Sequence, residues 1–140
     1  MCSARMDTDF IYEAFRLGAG GVLYSGCHPQ DCHYITGQVI GAKRAKRLES
    51  IFERINMTPG RFRVEWISAA EGDKYARVIN EMQSVLDNMT EEALSAEIER
   101  LRPEMEKRLG RLETIPGVEP ALEHTELLID AMLSKEGAVK

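Results

Sequence analysis

The sequence predicts an α/β fold built on parallel strands, and three observations predict it. Over the first 88 residues the segments alternate as helix, strand, helix, strand, helix, the order that parallel strands joined by right-handed crossovers produce. The run Gly21-Val22-Leu23-Tyr24-Ser25 is short, apolar and bounded by glycines, which suits a strand buried on both faces. Phe62, Val64 and Trp66 alternate with Arg61, Arg63 and Glu65, the period-two pattern of a strand with one polar face.

Each element has its own warrant. Asp7 is an N-cap, Ile11, Ala14 and Phe15 repeat at helical spacing, and Gly18 is a left-handed stop, so a helix is expected over 8–17. The first strand runs straight into Gly26-Cys27-His28-Pro29-Gln30-Asp31-Cys32-His33-Tyr34. A second helix over 37–55 lines one face with Leu48, Ile51, Phe52 and Ile55, and Asn56, Thr58, Pro59 and Gly60 end it. Near its start Lys43, Arg44, Lys46 and Arg47 read as a solvated helix face, with a docking patch for an acidic partner as the alternative. Residues 61–68 read as a sheet-edge strand. A third helix from Glu71 to Asn88 presents Tyr75, Val78, Ile79, Met82 and Leu86 on one face.

From Thr90 the texture changes. Residues 91–111 are dense in Glu, Arg and Lys, with Leu94, Ile98, Leu101, Met105, Leu109 and Leu112 as a thin apolar stripe. Such a stripe is expected to pack on its own domain, a partner helix being the alternative. Pro103 should bend or interrupt this helix, and Pro116-Gly117 and Pro120 separate it from a last helix over 121–134. The chain thus divides into an α/β domain over 1–89 and a charged helical extension over 90–140. Two parallel strands are few for a sheet covered on both faces, and their free edges call for a partner.

A length of 140 residues, 44% hydrophobic and 29% charged, fits one globular unit with an appendage. No apolar run approaches the roughly 20 residues that span a bilayer, and residues 1–7 carry no basic-then-apolar export signal. A cytoplasmic protein is the simplest expectation. The net charge of -5 argues against a nucleic-acid binder, whose affinity rests on neutralising phosphates.

The chemistry-bearing residues are Cys2, Cys27 and Cys32. An odd set of thiols in a reducing compartment points to metal ligands, reactive thiols or plain buried groups rather than a disulfide framework. Cys27 and Cys32 follow the carboxyl end of a strand, the edge where ligands gather in open α/β sheets. Cys2 leads into the helix before that strand, which would bring it to the same edge. Structural zinc favours pairs spaced C-x2-C, whereas iron–sulfur clusters accept C-x4-C with remote partners. His28 and His33 are candidate extra ligands or hydrogen-bond donors around the site. A Cys27/Cys32 thiol redox pair is a further reading, although such pairs are typically C-x-x-C at a helix N-terminus. Trp66 reads as a core or sheet-face residue rather than an electron relay.

Several strings together resemble a known family. They are Met1-Cys2-Ser3 with Asp7 and a Phe-bearing helix, Gly20-Gly21-Val22-Leu23, Gly26-Cys27-His28-Pro29 with Asp31-Cys32-His33-Tyr34, and Glu65-Trp66-Ile67-Ser68-Ala69 with Glu71-Gly72. Over about residues 1–88 the chain resembles the delta subunit of methyl-viologen-reducing hydrogenase, the small iron–sulfur protein that accompanies heterodisulfide reductase. The resemblance implies a partial flavodoxin-like parallel sheet with flanking helices and one 2Fe-2S cluster on Cys2, Cys27 and Cys32. It also implies a relay with no catalytic residue of its own, passing electrons from a hydrogenase or formate dehydrogenase to the flavin subunit of heterodisulfide reductase. Family members usually begin with a further strand and helix bearing more cysteines, so the chain is expected to be N-terminally short. The fourth ligand would then come from His28, His33, solvent or another polypeptide. A clusterless adaptor holding the same complex together is the rival reading.

Overall fold

The computed structural model describes residues 2–109 and contains two parallel strands and four helices. Helix α1 spans Thr8–Arg16, strand β1 Val22–Gly26, helix α2 Gly37–Arg54, strand β2 Phe62–Trp66, helix α3 Gly72–Asp87 and helix α4 Glu91–Leu109. The expected order and the α/β class are present. The expected helix over 121–134 lies outside the described residues.

Local chemistry sets the ends of the first two helices. The Asp7 side chain accepts from the Asp9 N–H at 3.2 Å and starts α1. At its other end Gly18 takes φ +99, and Ala19 N–H donates to Ala14 O at 3.0 Å. Helix α2 closes the same way with Asn56 at φ 54 and Met57 N–H donating to Phe52 O at 3.0 Å. In both cases a residue that tolerates the left-handed region lets the chain fold back onto the orphan carbonyls.

The strands pair in register, Val22 with Phe62 through Gly26 with Trp66. Successive residues of β2 face different layers, as the pleat requires. Phe62, Val64 and Trp66 pack with Tyr24 on the core that α1, α2 and α4 share, where Ile11, Phe15, Leu48, Phe52, Leu101 and Met105 are buried. Arg63 and Glu65 face α3, the former pairing with Glu81 at 2.7 Å and the latter with Lys74 at 3.5 Å. On that side Val78 and Met82 are buried.

Four expectations need correcting. Strand β1 is not buried on both faces: only Tyr24 is fully enclosed and Ser25 is exposed, because a two-stranded sheet cannot cover both sides of its strands. Arg61 does not join a polar strand face but is 1% exposed just before β2, held by acceptors that satisfy its guanidinium. Tyr75 and Ile79 do not reach the core, being 52% and 37% exposed. Pro103 does not interrupt α4, which continues so that Leu101 and Met105 on either side of it both enter the core. The described part of the expected stripe packs on its own chain, with Leu101 and Met105 in the core and Leu109 against it; Leu112 lies outside the described residues.

Candidate functional site

Cys2, Cys27 and Cys32 come together at the carboxyl end of the sheet. Cys2 precedes a 3₁₀ turn at Ser3–Arg5, Cys27 follows β1, and Cys32 ends a second 3₁₀ turn at Pro29–Asp31 just before α2. All three are half-buried free thiols. They line one open groove of about 1550 Å³ with His33, Tyr34 and Tyr75.

Glycines clear the space that this convergence needs. A Cβ on Gly37, the first residue of α2, would stand 2.6 Å from Cys2 Sγ and 3.6 Å from Cys32 Sγ. One on Gly26 would stand 2.6 Å from Ser3 Oγ, and one on Gly41 would stand 3.0 Å from the Tyr24 hydroxyl. Tyr24 donates that hydroxyl to Ser3 O at 3.0 Å. Arg44 donates to Ala4 O and Met6 O at 2.7 and 2.5 Å. The segment bearing Cys2 is therefore seated against β1 and α2 by specific bonds. Arg44 had read as part of a solvated helix face; it is instead half-buried on these carbonyls, while Lys43, Lys46 and Arg47 are exposed.

The thiols are electrostatically unequal. The Gln38 N–H, 3.3 Å from Cys32 Sγ, pulls the Cys32 thiol below its ordinary range, with the Tyr34 and Gly37 N–H groups and Cys27 assisting. Burial pushes the Cys27 thiol up, and the neighbouring Cys32 adds to the rise. Amides at a helix start favour the thiolate, whereas partial burial beside a second thiol disfavours it.

The two histidines part company. His28 Nε2 is 2.6 Å from Glu71 Oε2, and the same oxygen accepts from Ser68 N–H at 2.7 Å. His33 stays in the groove, edge-on to Tyr34 with ring centroids 5.1 Å apart. Trp66 is a sheet-face residue, edge-on to Tyr24 at 6.4 Å. Sequence reasoning assigned no role to Glu71, Gly37, Ser3 or Gln38. Ser3 and Glu71 carried a signal, as parts of the Met1-Cys2-Ser3 string and of the string after β2.

Among the described residues no three His, Cys, Asp or Glu side chains stand close enough to hold a single metal ion. A cluster with two irons spreads its ligands over two metal atoms, and thiolates are the ligands it takes. The Cys2 and Cys32 sulfurs both stand close to the bare Gly37 and Cys27 lines the same groove, so the donor set is of the type such a cluster takes. The described residues hold no helix long and apolar enough to cross a membrane.

The family model described as methyl-viologen-reducing hydrogenase, delta subunit, matches residues 1–90. A ferredoxin/F420H2-dependent CoB-CoM heterodisulfide reductase subunit from Methanosarcina acetivorans is 43% identical over 89 residues, 64% of this chain but 11% of that protein. An F420-non-reducing hydrogenase iron-sulfur subunit from Archaeoglobus profundus is 41% identical over 85 residues, 61% of this chain and 62% of that protein. The F420-non-reducing hydrogenase vhc iron-sulfur subunit from Methanococcus voltae is 38% identical over 89 residues, 64% and 62% of the two chains. The similarity thus spans a small part of one relative and under two thirds of the others.

Proposed function

The chain belongs to the methyl-viologen-reducing hydrogenase delta subunit family, and from that premise we propose that it is an iron–sulfur electron-transfer subunit of a hydrogenase/heterodisulfide reductase-type complex. In this reading it relays electrons from a hydrogenase or formate dehydrogenase to the flavin subunit of the reductase. The observation that carries the proposal is the convergence of Cys2, Cys27 and Cys32 on one groove, with the Cys2 and Cys32 sulfurs both within 4 Å of where a Cβ on Gly37 would stand.

Cys2, Cys27 and Cys32 would hold a 2Fe-2S cluster, which when bound supplies a one-electron couple. The Gln38 amide stabilises negative charge on Cys32 Sγ; hydrogen bonds to ligand sulfurs raise a reduction potential. Asp31, exposed in the same groove, opposes that effect with its own negative charge. Arg44 and Tyr24 orient the Cys2 segment. His33 is the histidine that shares the groove with the thiols and is the local candidate for the fourth position.

Anaerobic iron and acid-labile sulfide analysis, with EPR of the dithionite-reduced full chain, tests this reading. Bound iron and sulfide with a 2Fe-2S signal are expected; a chain that stays metal-free alone and with its co-expressed complex overturns it. The presence of Cys27 and Cys32 as free thiols in one groove favours a second reading, a thiol pair. Oxidation of the two thiols to a disulfide would release two electrons and two protons to a partner disulfide. A metal-free chain whose Cys27–Cys32 disulfide cycles with a dithiol reductant would establish it.

A further inference from the structure

We propose that Glu71 is a positioning residue that, through His28, fixes the Cys27 loop relative to the other two thiols, making His28 a strut rather than a ligand. The inference rests on the reading of Cys27 as part of the site and assigns how that site is held in shape. Two loops form the carboxyl edge of the sheet, one after β1 bearing Cys27 and one after β2 leading to α3. Backbone bonding between them reaches Ile67 N–H donating to Gly26 O at 2.8 Å and stops one residue before Cys27.

Beyond that point one carboxylate oxygen does the joining. Glu71 Oε2 accepts from Ser68 N–H in its own loop at 2.7 Å and lies 2.6 Å from His28 Nε2 in the other. Glu71 N–H in turn donates to Ser68 O at 3.0 Å, closing the β2 loop on itself. The Ser68 amide, and then His28, hold the Glu71 carboxyl below its ordinary range, so it stays a carboxylate acceptor at neutral pH. With its Nε2 engaged, His28 donates across the loops and braces the backbone of its neighbour Cys27. Partners of this kind, beyond the ligating atoms, set ligand orientation and tune the metal.

The test compares the full-length chain with Glu71→Gln, Glu71→Ala, His28→Gln and His28→Ala, each checked for an unchanged helical circular dichroism signal. Mild diamide oxidation of the metal-free chain, read by peptide mapping, reports which thiols meet. Anaerobic loading with ferrous iron and sulfide, read by EPR g values and midpoint potential, reports the site when filled. Glu71→Ala and His28→Ala should both divert disulfides from Cys27–Cys32 toward pairs with Cys2, shift the potential, and weaken metal retention roughly 10- to 100-fold. His28→Gln, whose amide can still donate to Glu71, should stay near wild type in both readouts.

Glu71→Ala indistinguishable from wild type in both readouts overturns the proposal. So does a His28→Gln spectrum changed as much as that of His28→Ala while Glu71→Ala leaves it alone, since that pattern marks His28 as a ligand. A chain that takes up no iron in any form removes the relay reading, and the oxidation readout then decides the role of Glu71 by itself.

Discussion

Arg61 and Glu97 form an ion pair at 2.8 Å that joins the start of β2 to the middle of α4. Arg61 is 1% exposed and also donates to Gly20 O and Ala19 O at 2.6 and 3.1 Å. Glu97 accepts in addition from the Thr58 N–H and hydroxyl. One pair thus gathers the chain before β1, the chain before β2 and a helix beyond residue 90. Because a buried charge left without its partner keeps its desolvation cost, Glu97→Ala should destabilise the fold by about 3–5 kcal/mol. Urea unfolding checks it.

The same carboxyl gives the pair a pH signature. Burial works against its charge, yet the Thr58 donors and Arg61 prevail and hold it below the ordinary 4.5. A lowered folded value means that the stabilisation is complete above the unfolded value and disappears as pH falls through the folded one. The urea midpoint should therefore drop below about pH 4.5 in the wild type, and Glu97→Gln should lack that component of the drop.

Asp9 carries the opposite sign. Burial first, and Asp7 beside it second, raise its carboxyl from 3.8 to about 6. A carboxyl raised in the folded state favours folding while protonated, and that advantage fades as pH rises through the folded value. Asp9→Asn should match the wild type at pH 4 and melt at a higher temperature above pH 6.5 or so, the difference opening across that interval. Melting curves of both proteins over that pH range are the check, and equal temperatures throughout would refute the assignment.

What the sequence made legible follows from how local each signal is. Asp7, Gly18 and Asn56 act on their own helix ends, so α1 and α2 could be placed within a residue or two. The placing of Cys27 and Cys32 at the sheet edge was legible because loop position after a strand is itself a local property, whereas Cys2 was brought there only by the order of helix and strand that follows it. Arg61, Arg44 and Glu71 were not, because their roles depend on hydrogen-bond partners 41, 40 and 43 residues away. Their charge reads as surface until the fold supplies Gly20 O, Ala4 O and His28. Tyr75 failed for a related reason: its helical spacing was right, but the two-stranded sheet is too narrow to cover that end of α3.

Ile35, three residues after Cys32, has φ 57 and is 83% exposed. A β-branched residue in the left-handed region costs roughly 1–2 kcal/mol, and so exposed a side chain recovers little by burial. Asparagine tolerates that region. Ile35→Asn should therefore raise the unfolding free energy by about 1 kcal/mol without altering the disulfide pattern of the thiols. A lower urea midpoint in the variant would show that the isoleucine packs against something that matters to the fold.

Gly37 separates a structural role from a functional one most cleanly, because the two make opposite predictions for alanine. As a mere helix residue it should be improved by Gly37→Ala, by about 0.5–1 kcal/mol. As the floor of the thiol site it should not tolerate the added methyl, which would stand 2.6 Å from Cys2 Sγ. We expect helix content and the Cys27–Cys32 disulfide on diamide oxidation to persist while pairs with Cys2 become rarer still and iron retention falls. Gly72→Ala, at a helix start where an added Cβ meets nothing within 4 Å, is the matched control and should leave both readouts unchanged. If Gly37→Ala is simply more stable and its thiols pair as before, the close approach of Cys2 to α2 is not what shapes the site.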